Sequence, residues 1–346
     1  MNLNNYFKKE SPLLNMLGMG GGVGSSLVSG GGITPEDILS IDSYTGNETA
    51  RSITTNIDLS GEGGLVWIKS TTETKKNLIF DTVRGANKYW HPGSVAIQVN
   101  DPNSLTEFNS DGFNLGTDSN NLVNSNLKPY AAVSIRQLEG FLNIVTWTGN
   151  GSSSRNISHS LNSTPELMII KNVGPYTDSG VVYHKDVGNT KVGLLADSDA
   201  FQTDTNCLDS TTPTSSVFTV GNDDKTNRSG MTYVAYLFST LSDFCKIGSY
   251  TGNGSTNSID CSDAFTGGPR FVMIKNANRN NIDWRFYYNI VSGNDSFFLN
   301  DSNSRENTAI TNSDTIDPVT SGGFSVNGVE DEINRSGDTY VFMAIK

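Results

Sequence analysis

The stretch "SYTGNE" at 43–48 comes back as "TWTGNG" at 146–151 and again as "SYTGNG" at 249–254, so that Gly46, Gly149 and Gly252 stand 103 residues apart. Self-similarity at a fixed step limits a chain to copies of one unit of that length. Five more phrases follow in the same order. "LVWIK", "LMIIK" and "FVMIK" close on Lys69, Lys171 and Lys275; "LIFDTVRG", "VVYHKDVG" and "FYYNIVSG" close on Gly85, Gly188 and Gly293. Asn100-Asp101, Ala196-Asp197 and Asn300-Asp301 make a fourth line, each after an apolar residue, and "GFNLG" at 112–116, "VFTVG" at 217–221 and "GFSVNG" at 323–328 a fifth. The sixth is "KPYAAV" at 128–133, "MTYVAYLF" at 231–238 and "DTYVFMAI" at 338–345, the last two preceded by "NRSG".

Every phrase is short, rich in Val, Ile, Phe, Tyr and Thr, and closed by Gly, Asn or Asp, which is the pattern of a strand and its turn. "LVWIK" and "YVAYLF" are apolar on both faces of a period-two reading and belong between two layers, whereas "FNSDGFNLG" alternates and suits a strand with one wet face. Asn150-Gly151, Asn253-Gly254 and Asn327-Gly328 offer the positive-φ residues of tight hairpins. About a hundred residues with six or more short strands is the size of one β-sandwich. The expected fold is therefore all-β: a Gly-rich extended arm over 1–42, then three antiparallel β-sandwich repeats over 43–140, 141–245 and 246–346. Composition agrees, with 35 glycines, 35% hydrophobic and 17% charged residues.

The lines "TGNG", "VWIK", "SDGF…LG" and "N.SG.TYVA" resemble a concanavalin-like repeat domain that recurs in structural proteins of marine tailed phages, those of cyanobacteria and of abundant ocean heterotrophs. "KKESPLLNMLGMGGG" near the start is similar to a short N-terminal peptide carried by several appendage proteins of such phages. Two departures stand out: the first repeat has Leu127-Lys128-Pro129-Tyr130 where "SG.TY" is usual, and the second has Thr219-Val220-Gly221 in place of "SDGF".

Residues that carry chemistry are scarce. "GMGGGVG" at 18–24 has no GxGxxG register and no Lys-Ser/Thr after it, so it reads as a flexible arm and not a phosphate loop. His91, His159 and His184 fall at different points of the repeat, without a G-x-S-x-G elbow, and read as solvated or hydrogen-bonded loop histidines. The acidic clusters at 109–112, 197–199 and 223–225 lack the spacing of a calcium loop and read as solvated turns. Cys207, Cys245 and Cys261 have no metal-ligand spacing and read as free thiols. The two-acid E-x-D-x-x-E strand of sugar-cleaving enzymes on this kind of sandwich is not found. No catalytic, cofactor or metal residue is expected. For glycan binding, Tyr89, Trp90 and His91 in "KYWHPG" and Tyr176 in "VGPYTDSG" are the candidates, since sugars stack on exposed aromatic rings. The competing reading packs Trp90 over the end of its own sandwich; Trp67 and Trp284 read as core.

A net charge of −12 repels a phosphate backbone, which argues against nucleic acid as partner, and no apolar run is long enough to insert in a membrane. With the resemblance, the expectation is a non-enzymatic virion structural protein, a tail fibre or other appendage, assembled in the host cytoplasm and displayed on the particle exterior. Its expected partners are other virion proteins of tail, neck or capsid, further copies of itself, and a host surface glycan. Capsid decoration and lectin-like host attachment are the alternatives. Tyr6, Phe7, Pro12, Leu13, Leu14 and Leu17 form the expected docking patch of the arm.

Overall fold

The computed structural model describes residues 32–288, 296–298, 316–319, 321–328 and 331–346. The docking patch Tyr6, Phe7, Pro12, Leu13, Leu14 and Leu17 lies outside them, as does Asn300-Asp301. The protein is all-β with antiparallel sheets; helix among the described residues amounts to a 3-10 turn at Pro35–Asp37 and one turn, α1, at Asp224–Asn227.

First come β1 (Leu39–Thr45), β2 (Arg51–Thr54), β3 (Gly64–Ser70), β4 (Leu78–Asp81), β5 (Lys88–Trp90), β6 (Val99–Asn100), β7 (Leu105–Asn109), β8 (Gly112–Leu115) and β9 (Pro129–Arg136). They form a six-stranded sheet, β1-β9-β3-β4-β5-β6, and a smaller one, β2-β8-β7. Next are β10 (Leu142–Thr148), β11 (Arg155–Ser158), β12 (Leu167–Asn172), β13 (Val181–His184), β14 (Lys191–Leu194), β15 (Gln202–Thr203), β16 (Val217–Val220) and β17 (Thr232–Phe238). Their sheets run β10-β17-β12-β13-β14-β15 and β11-β16. Last are β18 (Cys245–Thr251), β19 (Asn257–Asp260), β20 (Phe271–Asn276), β21 (Arg285–Tyr288), β22 (Ser296–Phe298), β23 (Ile316–Pro318), β24 (Gly323–Val326) and β25 (Thr339–Ile345), in sheets β18-β25-β20-β21-β22 and β19-β24-β23. The strand order of the three large sheets corresponds, and so does the register: Lys69 faces Ala131, Lys171 faces Val234 and Lys275 faces Val341.

One element start and one correspondence differ from the expectation. β1 begins at Leu39, inside the span expected to be arm, because Leu39 to Asp42 extend the ladder with β9, Leu39 opposite Ile135. The counterpart of Asp101 is Asp204, not Asp197. Asp101 donates its N–H to Asn87 O (2.7 Å) as Asp204 does to Thr190 O (2.9 Å), and Lys88 faces Asn100 as Lys191 faces Thr203. These edge strands are two residues long, too short to leave a period in the sequence.

The TGN turns are not hairpins. β1 pairs with β9 while β2 pairs with β8, so the turn between β1 and β2 arches from the large sheet to the small one; the same holds between β10 and β11 and between β18 and β19. A Cβ on Gly46, Gly149 or Gly252 would collide with the carbonyl of Ser125, Arg228 or Arg335, so only glycine admits that close approach. An asparagine then fastens each arch. Asn124 accepts from Asn47 N–H (3.0 Å) and donates to Thr49 O (2.8 Å); Asn227 accepts from Asn150 N–H (3.1 Å) and donates to Ser152 O (2.6 Å); Asn334 accepts from Asn253 N–H (3.1 Å) and donates to Ser255 O. Behind it a tyrosine hydroxyl accepts a backbone N–H: Tyr130 from Ser125 (3.1 Å), Tyr233 from Arg228 (2.8 Å), Tyr340 from Arg335 (2.8 Å). Their rings stack on Tyr44, Trp147 and Tyr250 at 5.3, 5.3 and 5.1 Å.

One hydrophobic cluster fills each large-and-small sheet pair; Val66 and Ile68 belong to the first, Met168 and Ile170 to the second, Val272 and Ile274 to the third. The alternate residues point away from these clusters yet are equally buried: Leu65, Trp67 and Lys69 on β3, Leu167, Ile169 and Lys171 on β12, Phe271, Met273 and Lys275 on β20. What covers them comes from another sheet group. Trp67 meets Phe286 edge-on at 4.5 Å and Phe271 at 6.5 Å; Trp90 lies 6.2 Å from Tyr236; Trp284 donates to Leu194 O at 3.0 Å and lies 6.1 Å from Phe201. First touches second, second touches third, and third touches first. Accordingly Thr34–Lys346 forms a single compact unit and does not part into three.

The departure at Leu127 keeps the backbone of its counterparts: φ is +59° at Leu127, +79° at Gly230 and +87° at Gly337, and the leucine side chain is 77% exposed. A left-handed leucine costs about 1–2 kcal/mol, partly offset in a glycine variant by about 0.4–1 kcal/mol of extra unfolded-state entropy. Leu127→Gly is therefore expected to stabilise the protein by about 0.5–1 kcal/mol and Gly230→Leu to destabilise it, both measured by urea denaturation.

Candidate functional site

The three lysines of the "IK" phrases are the most unusual polar groups of the fold. Each is the last residue but one of a central strand, is 2% exposed or less, and reaches across the following loop to a backbone carbonyl: Lys69 to Lys75 O, Lys171 to Asp178 O, Lys275 to Ile282 O. Lys275 also donates to Ser198 O, in the second sheet group, at 3.0 Å. Rings close over two of the ammonium groups, Trp90 at 5.9 Å from Lys171 Nζ and Trp284 at 6.0 Å from Lys275 Nζ. Burial pushes both amines down to about 8. Each amine, donating to a carbonyl of the following loop, holds that loop in place.

The "KYWHPG" candidates do not form an aromatic platform. Tyr89 and Trp90 are in β5 and buried, at 4% and 0% exposure; Tyr89 packs in the first hydrophobic cluster against Phe80 (5.5 Å). Trp90 is wedged against the second sheet group, not over its own. Its indole N–H donates to Tyr236 Oη (2.9 Å), which donates to Asp81 Oδ2 (2.7 Å), and Arg84 pairs with that same carboxylate and donates to Ile79 O (3.0 Å). No face of Trp90 is left for a sugar. His91 is half-buried, with Nδ1 3.2 Å from Asn77 O, and burial lowers its pKa. His91 and His159 are thus hydrogen-bonded loop histidines, His159 buried with Nε2 3.2 Å from Thr214 O, whereas His184 sits within β13, fully buried, its Nε2 3.4 Å from Phe342 O. Burial lowers the pKa values of His159 and His184.

Tyr176 lies where a ligand has room. Together with Asp178, Asn206, Asn222, Asp223 and Lys225 it lines an open polar groove of about 490 Å3. One face of its ring carries the Arg228 guanidinium at 4.0 Å; Arg228 also pairs with Asp224 at 2.8 Å. Beside the groove, ligand atoms of Asp204, Cys207 and Asp223 lie within 4.8 Å of one another. A lysine already supplies the positive charge there. Lys225 Nζ is 3.1 Å from Asp223 and 3.3 Å from Asp204; burial alone would lower its pKa, but the Cys207 sulfur and the two carboxylates outweigh it and raise it. Asp223 is spent further as the cap of α1, accepting from Lys225 N–H at 2.8 Å, so the "DDK" turn is a surface turn, Asp224 exposed, whose Asp223 and Lys225 are paired and partly buried. In the first sheet group the corresponding Asp101 and Asp118 are satisfied by Asn120 Nδ2 (2.7 Å) and by the N–H groups of Leu122, Val123 and Asn124. All three cysteines are free and buried, and burial raises their pKa values.

Several structural residues escaped the sequence reading. Asn124 was hidden because "NSNL" differs from "NRSG", and the Asp81–Arg84–Tyr236 cluster because Tyr236 stands 155 residues from Asp81. The signals existed: an asparagine six residues before each corner tyrosine, and an Asp-x-x-Arg in the first repeat alone. Among the described residues no helix is long and apolar enough to cross a membrane. Residues 34–346 match as one stretch the model of a domain of unknown function (DUF7483). Comparison with curated proteins gives no match.

Two outcomes follow from this geometry. An unfolded lysine titrates near 10.5 and the folded Lys171 and Lys275 near 8, so between these values the unfolded chain binds more protons and stability rises with pH. The buried thiols of Cys207, Cys245 and Cys261 act in the opposite sense, because burial makes them keep protons that the unfolded chain gives up. The lysine contribution is therefore read as a difference: from pH 8 to 9.5 the denaturation midpoint of the double variant Lys171→Met/Lys275→Met is expected to fall relative to that of the wild type. Tyr236→Phe removes a donor to buried Asp81 and the acceptor of Trp90, and is expected to cost about 1.5–3 kcal/mol by chemical denaturation.

Proposed function

The chain belongs to the DUF7483 family; from the phrases that recur at the 103-residue step and the matching strand orders of the large sheets we propose that it is built as three tandem concanavalin-like β-sandwich repeats, closed head to tail, and works as a non-enzymatic structural protein of a tailed-phage particle. The repeats run from Leu39 to Arg136, Leu142 to Phe238 and Cys245 to Ile345. In this reading the protein is a tail fibre or similar appendage on the virion exterior, with residues 1–31 as the segment that docks on other virion proteins.

The observation that carries the reading is what the threefold-repeated residues do. Lys69, Lys171 and Lys275, Asn124, Asn227 and Asn334, and Tyr130, Tyr233 and Tyr340 all spend their polar atoms on the protein's own backbone. A chain that repeats fastening devices is made for rigidity. The acidic surface, net −12, favours solubility and a place away from packaged DNA. A second reading, a lectin-like binder of host surface polysaccharide, draws on the groove at Tyr176, where amides and carboxylates surround an aromatic ring. Capsid decoration differs from the first reading only in where the arm docks.

The test is assembly. A chain lacking residues 1–30 is expected to melt as the full protein does yet to be missing from purified particles; incorporation at full occupancy would overturn docking through the arm. Incubation with host envelope glycan separates the second reading: retention that Tyr176→Ala together with Asn222→Ala abolishes supports it, and lack of retention removes it.

A further inference from the structure

The contact between sheet groups uses corresponding positions each time. By strand register Asp81, His184 and Tyr288 are counterparts, opposite Leu65, Leu167 and Phe271 on the central strands, and so are Val133, Tyr236 and Met343, opposite Trp67, Ile169 and Met273. Asp81 of the first group meets Tyr236 of the second at 2.7 Å. His184 of the second meets the Phe342 carbonyl of the third, next to Met343, at 3.4 Å. Tyr288 of the third lines one small cavity together with Val133, Trp67 and Lys69 of the first. Each contact thus joins the fourth strand of one group to the partner of the central strand in the next. Such an interface is heterologous, and it ends in a ring only if the last surface finds the first.

Two of the three contacts are bridged by the chain itself, through 137–141 and 239–244; the third is not. There Arg270 does the joining. Its guanidinium Nη2 donates to Pro35 O at 2.8 Å and to Lys346 O at 3.1 Å, and Glu36 and Asp42 are the charged groups that face it. At the corresponding position of the second group stands Glu166, which accepts from Thr240 N–H (3.2 Å) and Thr240 Oγ1 (2.5 Å). Glutamate serves where the next segment offers donors, arginine where it offers two carbonyls. Beneath the clasp lies an apolar contact, Trp67 with Phe271 and Phe286.

We propose that the contact between the third and first groups is an exchangeable interface, held shut within one chain by Arg270, through which an opened chain joins a second copy of itself head to tail. The occupant is set by continuity: the surface around Phe271 and Phe286 is already built for the Trp67 surface, and that surface is the same whether it belongs to the same chain or to another. This inference rests on the closed head-to-tail arrangement proposed above, not on the phage reading.

The experiment uses the full chain and Arg270→Glu, which removes both hydrogen bonds and places a third acid beside Glu36 and Asp42. Mass by light scattering is measured from 1 to 100 μM (about the range in which weak self-association is read), with amide hydrogen exchange at both ends. Expected are a dilute form with faster exchange at β3 and β20, and a concentrated form of at least twice the wild-type mass in which that protection returns. Trp67→Arg added to Arg270→Glu is expected to abolish the association. Unchanged mass at every concentration overturns the proposal, whether or not exchange at β3 rises. If Arg270→Glu does not fold, Arg270→Gln is judged by the same masses. Fast exchange in the wild type around Trp90–Tyr236 and Trp284–Leu194 would instead sink the closed arrangement itself, a result separate from the behaviour of Arg270.

Discussion

The structure depends on central strands that are buried on both faces. In β3, β12 and β20 every residue is inside, so a large sheet covered only by its small partner would leave Leu65 and Trp67, or Ile169, or Met273, in water. Burying an apolar side chain of this size stabilises by about 1.5–3 kcal/mol, and several such residues per sheet make isolated sheet pairs poor soluble bodies. The remedy is mutual cover. It also explains why a lysine at the end of each such strand has to carry its charge inward and find a carbonyl, since the strand leaves it no wet side.

The three groups differ most plainly at the contacts between them. The position held by Asp81, His184 and Tyr288 is ionic and paired with Arg84 in the first, an imidazole in the second and a phenol in the third. The positions that fold each group, the arch glycine, the asparagine and the corner tyrosine, hardly differ. That division is what specificity requires: interchangeable folding devices, and contacts that cannot be interchanged, so that each contact surface accepts one neighbour.

Much of this was legible in the residues. "LVWIK" and "YVAYLF", apolar at both parities, announced strands covered on both sides, and the 103-residue step placed Lys69, Lys171 and Lys275 at matching registers. What failed did so for one physical reason: the deciding partner is remote. Thr-Gly-Asn-Gly fits a hairpin or an arch equally well, and only the pairing of β2 with β8 tells them apart. "KYWHPG" reads as an exposed loop until Tyr236, 146 positions away, supplies the hydroxyl that Trp90 needs. In the "DDK" turn Lys225 stands beside Asp223 in the sequence, but its second partner, Asp204, is supplied only by folding. At Leu127 the pattern broke while the backbone conformation survived, because a surface turn can bear a leucine at positive φ at a modest cost.

One feature of the Arg270 clasp bears on mechanics. Pro35 and Lys346 share a single guanidinium, so the two ends of the compact unit lie side by side. A pull applied through both ends loads that one point in a peeling direction, bond after bond, while β3, β12 and β20 feel little tension. The unit would behave as a buckle and not as a link: it would yield first at its fastening, and the strands behind it would keep their hydrogen bonds until the fastening had given way.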